Sequence, residues 1–317
     1  MLTVSNYHYI REDFKAPYPS IFGLTPKAFK KQLVHCRGFG EYIHPRDLVQ
    51  NKEEIINSKK NYILISFDDG LKEQINFAKP ILDSLKIPAL FFVNTINFRE
   101  EELSLVHKIH LLRSKISSSE LIKKIYLSNS KVDIDLTASE KKKAILHYNY
   151  DDAESACLKY ILNFKITIKE QAALIDAIFP DYLNEEEVIK DLYMTKNQLK
   201  DLAVEGMLGS HSHTHRPLGL LQPNEIEEDL KSSKQYLEEL TQHQIDMVSY
   251  PYGSVEACSS PVTETALKLG FKIGFSMERG LNIGVEDYLL LKRFDCNDLP
   301  LGKNEKVFND AHSFIYK

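Results

Sequence analysis

The sequence predicts an α/β fold that carries a mainly helical insertion. Residues 62–67 (YILISF) and 89–93 (ALFFV) are near-continuous apolar runs, the pattern of strands buried on both faces of a parallel sheet. Apolar residues recur at helical spacing between these runs, so the stretch forms a βαβ unit. From 98 to 191 the chain has no glycine and shows consecutive amphipathic helical patterns. The alternation of helices and strands resumes afterwards.

The elements on either side of the insertion follow from local signals. Residues 2–7 (LTVSNY) favour a short strand that ends at His8. Thr25-Pro26 is typical of an N-cap followed by proline at the first helical position. The other elements are predicted as a helix at 47–56, a helix opened by a Thr195–Gln198 capping box, a helix from Pro223, a strand at 247–250, a helix from Ser260, and strands at 271–275 and 288–294.

We predict one domain over residues 1–317, with the insertion at 98–191 inside it. The length suits one large α/β domain, although two smaller domains would also fit it. The insertion has two interpretations that the sequence leaves open. It is either structural support or a lid that narrows the site and sets specificity.

Composition and charge exclude several classes of partner. The net charge of -5 provides no basic surface for nucleic acid. No run approaches the roughly 18 apolar residues that a membrane span requires. The first ten residues lack the basic start and long apolar core of a secretion signal, and the four cysteines show no C-x-x-C spacing. We therefore expect a reduced, cytoplasmic protein. The sequence does not indicate its oligomeric state.

Three of the 11 histidines fall within residues 211–215 (HSHTH). Neutral imidazole is the commonest protein ligand for zinc. His211 and His215 are four residues apart, so both rings can face one ion from a helical turn or from a loop that enters one. A surface cluster without a ligand is the alternative, and this segment alone does not decide between them.

Polar residues also follow other predicted strands, where parallel α/β folds bind their ligands. His8 follows the first strand, and Asp68 and Asp69 follow the strand at 62–67. Residues 251–253 (PYG) follow the strand at 247–250. Adjacent aspartates after a strand point to opposite sides, so one can bind a metal while the other accepts a proton. A simple Asp-Gly turn is the alternative for this pair.

Together these segments resemble the motifs of the polysaccharide deacetylases, carbohydrate esterase family 4, also called the NodB-homology family. Residues 66–70 (SFDDG) resemble its T/S-F-D-D-G motif, residues 211–215 its H-S/T-x-x-H motif, and residues 250–253 (YPYG) the end of its R-x-P-Y-G motif. The resemblance covers about 1–98 and 192–300. It implies a distorted (β/α) barrel and a hydrolase that removes N-acetyl groups from an amino sugar or glycan.

The resemblance also implies roles for particular residues. Asp69, His211 and His215 would bind a divalent metal, with Zn²⁺ the default and Co²⁺ or Ni²⁺ also suited to these ligands. Asp68 would be the general base toward the attacking water. The backbone N–H of Tyr252 would stabilise the oxyanion.

The sequence departs from the family pattern in two respects, which concern the general acid and the arginine that orients the base. The family's C-terminal L-x-H histidine is not evident, but residues 6–8 (NYH) resemble the N-terminal Tyr-His motif of the biofilm poly-N-acetylglucosamine deacetylases. His8 is therefore the candidate general acid, with His312 in reserve. Ser249 stands where many relatives have an arginine that orients the base, and Arg293 is the candidate that replaces it.

The predicted substrate is an N-acetylated sugar or glycan, and a cytoplasmic location favours the precursor of a surface polysaccharide. Two other functions remain open. The same residues would serve a metal-dependent hydrolase of O-acetyl esters or of a non-sugar amide. A catalytically inactive, carbohydrate-binding relative is the second alternative, although a retained Asp68 argues against it because a binding protein needs no base.

Overall fold

The computed structural model describes residues 1–128, 132–148, 151–258 and 260–313. The chain divides into two compact units. The first consists of Met1–Asp13, Gly23–Glu102 and Ile189–Lys317, and the second of Phe14–Phe22 and Leu103–Val188. The sequence-based division, one domain with an insertion over 98–191, stays a prediction.

A parallel sheet forms the centre of the first unit. Its strands are β1 Leu2–Tyr7, β2 Glu41–Tyr42, β3 Tyr62–Phe67, β4 Ala89–Val93, β5 Leu208–Ser210, β6 Met247–Ser249, β7 Ile273–Phe275 and β8 Phe294–Asp295. They lie in the order β7-β6-β5-β4-β3-β1-β8, with β2 paired to β3, and every pair is parallel. The carboxyl ends of the strands therefore share one edge of the sheet.

Burial explains why the central strands read as continuous apolar runs. All six residues of β1 are buried, and β3 is buried from Ile63 onward. Side chains of β1, β3, β4, β6 and β7 share one hydrophobic cluster, which includes Val4, Leu64 and Phe92. Removing such side chains from water is the main stabilising term of the fold.

Helices connect the strands and form the second unit. They are α1 Pro26–Cys36, α2 Pro45–Asn57, α3 Lys79–Leu85, α4 Ile96–Arg99, α5 Leu105–Lys115, α6 Ser118–Ser128, α7 Ala138–His147, α8 Ala153–Tyr160, α9 Ile168–Ile178, α10 Glu185–Leu192, α11 Lys196–Glu205, α12 Pro223–Thr241, α13 Ser260–Lys268 and α14 Lys306–Ser313. Within the described residues, none of them is both long enough and apolar enough to cross a membrane.

The second unit is a helical assembly built from α5 to α9. Apolar side chains from each of these helices are buried, and they include Leu112, Leu121, Ala144, Leu158 and Ile175. Capping boxes begin two of them: the side chains of Thr137 on α7 and Thr167 on α9 each accept the backbone N–H of the glutamate three residues later.

The secondary structure differs from the sequence-based prediction in one strand and in two helices. The strand predicted at 288–294 is only Phe294–Asp295, and the part before it contacts β7 through an isolated bridge between Leu291 and Phe275. At Lys292 the backbone groups bond to the side chain of Asn282 instead of a strand. Asn282 Nδ2 donates to the Lys292 carbonyl at 3.0 Å, and the Lys292 N–H donates to Asn282 Oδ1 at 2.8 Å. Two predicted helices also contain wider, π-helical turns at Gln74–Ala78 and Ile161–Lys165.

Candidate metal centre and active site

The four polar segments predicted from the sequence meet at the carboxyl edge of the sheet. Register places them there, since β1 pairs with β3 up to Tyr7 and Phe67, and β4 pairs with β5 up to Ser210. The backbone N–H of Asp68 continues this pairing and donates to the Tyr7 carbonyl at 3.0 Å. The residue after β1, His8, and the residues after β3 are thus adjacent.

One acidic and two imidazole side chains form a compact set of metal ligands. Asp69, His211 and His215 each offer an atom, and the three atoms lie within 4.8 Å of one another. Asp69 Oδ1 is 3.6 Å from Nε2 of His211 and 3.2 Å from Nε2 of His215. One carboxylate oxygen and two imidazole nitrogens suit Zn²⁺, Co²⁺ or Ni²⁺. Among the described residues, this is the sole group of three or more such ligands.

The ring of His211 is fixed in the form that binds metals. Its Nδ1 lies 2.7 Å from the Ser249 carbonyl. A carbonyl only accepts hydrogen bonds, so Nδ1 carries the proton and the lone pair of Nε2 faces Asp69. Burial of the ring lowers the pKa of His211 to about 4, against the opposing effect of the nearby aspartates. The imidazole is therefore neutral at neutral pH.

The segment between the two histidines is a loop that α12 holds in place. The Asp229 carboxylate accepts the backbone N–H groups of His213 at 2.6 Å and Thr214 at 3.2 Å. The Ser212 hydroxyl accepts the backbone N–H of His215 at 3.1 Å. The ring of His213 lies outside the ligand set, with its Nδ1 at 2.8 Å from the hydroxyl of Thr95.

Asp68, the predicted base, is buried and fully hydrogen-bonded. Arg293 donates from Nη1 to Oδ1 and from Nη2 to Oδ2, both at 2.9 Å. Asn6 Nδ2 and the Ser249 hydroxyl donate to Oδ2 at 3.1 and 3.3 Å. Burial raises the pKa of Asp68, but the charge of Arg293, followed by His211, outweighs that effect and holds the pKa at about 2. The carboxylate is ionised at neutral pH.

Arg293 is itself held rigidly from several sides. Its Nε donates to the Ser276 carbonyl at 2.9 Å, and Nη2 donates to the Ser249 hydroxyl at 2.9 Å. The side chain is fully buried. A small residue at position 249 leaves space for a guanidinium that arrives from the start of β8, and its hydroxyl binds both members of the ion pair.

Backbone strain concentrates at this site. Asp69, Ser212, His215 and Tyr252 all have positive φ, at 78°, 65°, 57° and 63°. Non-glycine residues rarely adopt this region because Cβ approaches the backbone, and each instance costs about 1–3 kcal/mol. Such strain persists where the surrounding structure holds a functional geometry.

The Tyr252 turn borders the ligand set. Its ring centroid lies 5.4 Å from that of His215, and the side chain is 54% exposed. No described residue accepts a hydrogen bond from the Tyr252 backbone N–H. This donor is available to a bound group, as the sequence-based prediction requires.

The two candidate acids lie in different surroundings. His8 is half-buried, directly follows β1, and its positive charge is one of the smaller influences that lower the pKa of Asp68. His312 lies on α14, where its ring stacks on Phe308 at 3.9 Å and its Nδ1 is 2.9 Å from the Phe308 carbonyl. His8 therefore follows β1 at the edge of the sheet where Asp68 and Asp69 follow β3, and its role as the acid stays a prediction.

The fold aligns with solved deacetylase structures over nearly the whole chain. The Streptococcus pyogenes deacetylase PplD, solved in complex with acetate, gives a TM-score of 0.58 at 17% identity, over 98% of this chain and 97% of that one. IcaB from Ammonifex degensii gives 0.57 at 17% identity, over 98% and 95%. The BpsB deacetylase domain from Bordetella bronchiseptica gives 0.53 at 16% identity, over 93% and 95%. No curated protein sequence matches the chain.

A family model adds sequence information to this likeness of fold. Residues 139–274 match the polysaccharide deacetylase model, and this stretch contains His211, His215 and Tyr252. The resemblance to the polysaccharide deacetylases that the sequence motifs indicate is confirmed by this match. The predicted fold class, a distorted (β/α) barrel of the polysaccharide-deacetylase type, is confirmed. The closer likeness to the branch with an N-terminal Tyr-His motif stays a prediction.

Three residues of this site were not singled out from the sequence. Asn6 donates to the base, Asp229 holds the histidine loop, and Gln74 Nε2 donates to the Asp68 carbonyl at 2.6 Å. Of the three, only Asp229 could have been identified from the sequence. It lies within the apolar stripe of α12, close to Ile226 and Leu230. A carboxylate on a buried helix face needs a partner, and such a position is worth noting in a sequence.

Proposed function

We propose that this chain is a metal-dependent hydrolase that removes N-acetyl groups from an amino sugar or glycan. The observation that carries the proposal is the position of an ionised, buried carboxylate beside the ligand set. Asp68 Oδ2 lies 3.9 Å from His211 Nε2, within the site formed by Asp69 and the two histidines. The match of residues 139–274 to the polysaccharide deacetylase model supports deacetylation and a glycan as the substrate.

Asp69, His211 and His215 would hold the metal, most favourably Zn²⁺, with Co²⁺ and Ni²⁺ as alternatives. When bound there, a divalent cation supplies Lewis acidity, which makes a neighbouring water more acidic and draws charge from the substrate carbonyl. The neutral state of His211 and the carbonyl contact at its Nδ1 prepare the site for that ion.

Asp68 serves as the general base in this proposal. It takes a proton from the attacking water, whose oxygen then forms a bond to the acetyl carbon. Arg293, Asn6 and Ser249 keep the carboxylate ionised and aimed, so the base needs no rearrangement before it acts. General-base catalysis typically contributes about 10²–10⁴-fold to the rate.

The Tyr252 N–H is proposed to stabilise the charge that develops on the acetyl oxygen. No described residue accepts a hydrogen bond from this N–H, which leaves it for the substrate. A single oxyanion donor is worth roughly 3–4 kcal/mol in enzymes that use one.

His8 is proposed as the general acid that completes the reaction. An amide anion is a very poor leaving group, so the nitrogen must be protonated as the C–N bond breaks. Protonated His8 gives its proton to that nitrogen, and Asp68 retains the proton from water until both groups exchange with solvent. The products are acetate and a free amino sugar. Histidine is the side chain that most often acts as a general acid in enzymes.

Acetate release from N-acetylhexosamine oligomers tests the proposal. Purified protein is assayed as isolated, after treatment with a chelator, and after Zn²⁺ or Co²⁺ is restored. We expect release that the chelator abolishes and the metal restores. Parallel assays use an O-acetyl ester and a non-sugar acetamide, because preference for either would move the assignment to another bond. Glycan binding without acetate release from any substrate would contradict an enzymatic function.

A further inference from the structure

One buried amide joins the segments that carry the proposed base and the proposed acid. Gln74 follows the SFDDG motif by four residues, and its side chain is fully buried. Its Nε2 donates to two backbone carbonyls, that of Asp68 at 2.6 Å and that of His8 at 3.0 Å. These two residues directly follow β3 and β1, so the amide fixes the end of β1 against the end of β3.

The residue before it holds the same segment. Glu73 Oε1 accepts the backbone N–H of Ile10 at 2.7 Å, and its Oε2 accepts Nε of Arg11 at 2.8 Å. Two adjacent side chains therefore hold the stretch from His8 to Arg11. We call this pair, Glu73 and Gln74, the acid clamp.

The clamp lies where regular structure no longer fixes the chain. Pairing of β1 with β3 ends at Tyr7, so the strand ladder does not determine the position of His8. Gln74 is the first residue of the π-helical turn Gln74–Ala78. Such turns contain an extra residue and occur frequently at functional sites, where they redirect side chains.

The acid clamp contributes more to the position of His8, the proposed acid, than to that of the Asp68 carboxylate, the proposed base. The Asp68 carboxylate receives four hydrogen bonds from Arg293, Asn6 and Ser249, none of which involves the clamp. For the carbonyl of His8, the donor is Gln74. Removing the Gln74 amide takes one bond from the Asp68 backbone carbonyl but leaves the four bonds that aim its carboxylate, whereas the His8 carbonyl loses its donor.

We propose that Gln74, supported by Glu73, is a positioning residue that sets His8 for protonation of the leaving nitrogen. The proposal rests on the proposed function, because it assumes that His8 is the acid of a deacetylase. Proton transfer requires a separation close to hydrogen-bond length, and a misplacement of about 1 Å can cost on the order of 100-fold in rate. A loosened His8 would therefore slow the step that needs an acid and leave the others intact.

Substrates with different leaving groups distinguish the contribution of the general acid from the contributions of the base and the metal site. An N-acetyl amide needs a protonated nitrogen, whereas an aryl acetate releases a stabilised phenolate without help. We expect His8→Ala to lose about 100-fold or more in kcat/KM on the amide and to stay near the wild-type value on the aryl ester. Gln74→Met, which preserves volume but not the amide, should lose roughly tenfold or more on the amide alone.

Matched variants guard against a general effect on folding. Gln171 is a buried glutamine of the second unit whose Nε2 donates to the Leu162 carbonyl at 3.0 Å, so Gln171→Met makes the same chemical change elsewhere. It should leave the ratio of amide to ester hydrolysis unchanged. Zn²⁺ content of Gln74→Met should equal that of the wild type. If Gln74→Met does not fold, Glu73→Gln should show the same selective loss in weaker form.

The combined variant His8→Ala/Gln74→Met tests whether the effect of Gln74 on the rate depends on His8. If Gln74 acts through His8, the second substitution adds nothing on the amide once His8 is gone. Independent, additive losses would overturn the proposal, as would equal losses on amide and ester or unchanged amide hydrolysis by Gln74→Met. If the wild type releases no acetate from any amide, the proposed function itself fails, which is a different result from any of these.

Discussion

The guanidinium of Arg293 binds both carboxylate oxygens of Asp68, each at 2.9 Å, although the two residues are 225 positions apart in the chain. Both side chains are excluded from solvent, at 0% and 3% exposure. A buried pair with this geometry adds little net stability over apolar residues, but loss of one partner leaves a buried charge uncompensated. The pair therefore links the predicted base to the integrity of the fold.

Arg293→Ala should destabilise the protein by about 3–5 kcal/mol, because the Asp68 carboxylate would remain buried without its partner. Urea unfolding followed by circular dichroism measures the change. Lys196→Ala is the control, since Lys196 pairs with Glu101 on the surface, with side chains 48% and 73% exposed. That pair is worth about 0–1 kcal/mol. Equal effects of the two substitutions would contradict the buried ion pair.

Asp68→Asn should abolish turnover and leave the metal bound. Asparagine keeps the size and an acceptor oxygen but does not take a proton, so a loss of roughly 10²–10⁴-fold in kcat is expected. Acetate release and metal content are measured on the same sample. Asp83→Asn, an exposed position on α3, should leave both unchanged. Wild-type turnover by Asp68→Asn would assign the base to another residue.

His215→Ala should lose both metal and activity, while His213→Ala should keep the metal. The two histidines are two positions apart, but only His215 belongs to the ligand set; His213 contacts Thr95 instead. Metal content after dialysis, measured by plasma mass spectrometry, distinguishes the variants. Metal retention by His215→Ala, or metal loss by His213→Ala, would show that the ligand set is different.

Asp229→Asn should weaken Zn²⁺ binding by about 10–100-fold without unfolding the protein. The Asp229 carboxylate accepts two backbone N–H groups of the histidine loop, and an amide accepts only through its single oxygen. Competition with a chromophoric chelator measures the affinity. Glu228→Gln, an exposed neighbour on α12, provides the control. An unchanged affinity would mean that the loop keeps its shape without this carboxylate.

Much of the fold could be predicted because its signals are local. The runs at β1 and β3 specify buried strands, and the Thr195–Gln198 capping box and Gly206 mark both ends of α11. The site segments were likewise found as short motifs at strand ends. Burial pattern and cap chemistry depend on neighbouring residues, so they are visible in one sequence.

The supporting residues could not be predicted in the same way, because their partners are distant in sequence. Asn6 is 62 positions from the carboxylate that it contacts, and the Ser249 hydroxyl is 181 positions from it. Nothing in the composition around Gln74 shows that its amide reaches two strands. Arg293 could be nominated only because Ser249 stands where relatives have an arginine. The 288–294 strand was overpredicted: the Lys292 backbone bonds to the distant side chain of Asn282, and Leu291 forms only an isolated bridge with Phe275.

The strand order has a consequence for how the protein is made. β1 lies between β3 and β8, and the residue just before β8 carries the guanidinium that neutralises Asp68. Chains are synthesised from the amino terminus, so a growing chain on the ribosome holds β1, β3 and the aspartate long before residue 293 emerges. The carboxylate must stay hydrated until then, and we expect this edge of the sheet to close last.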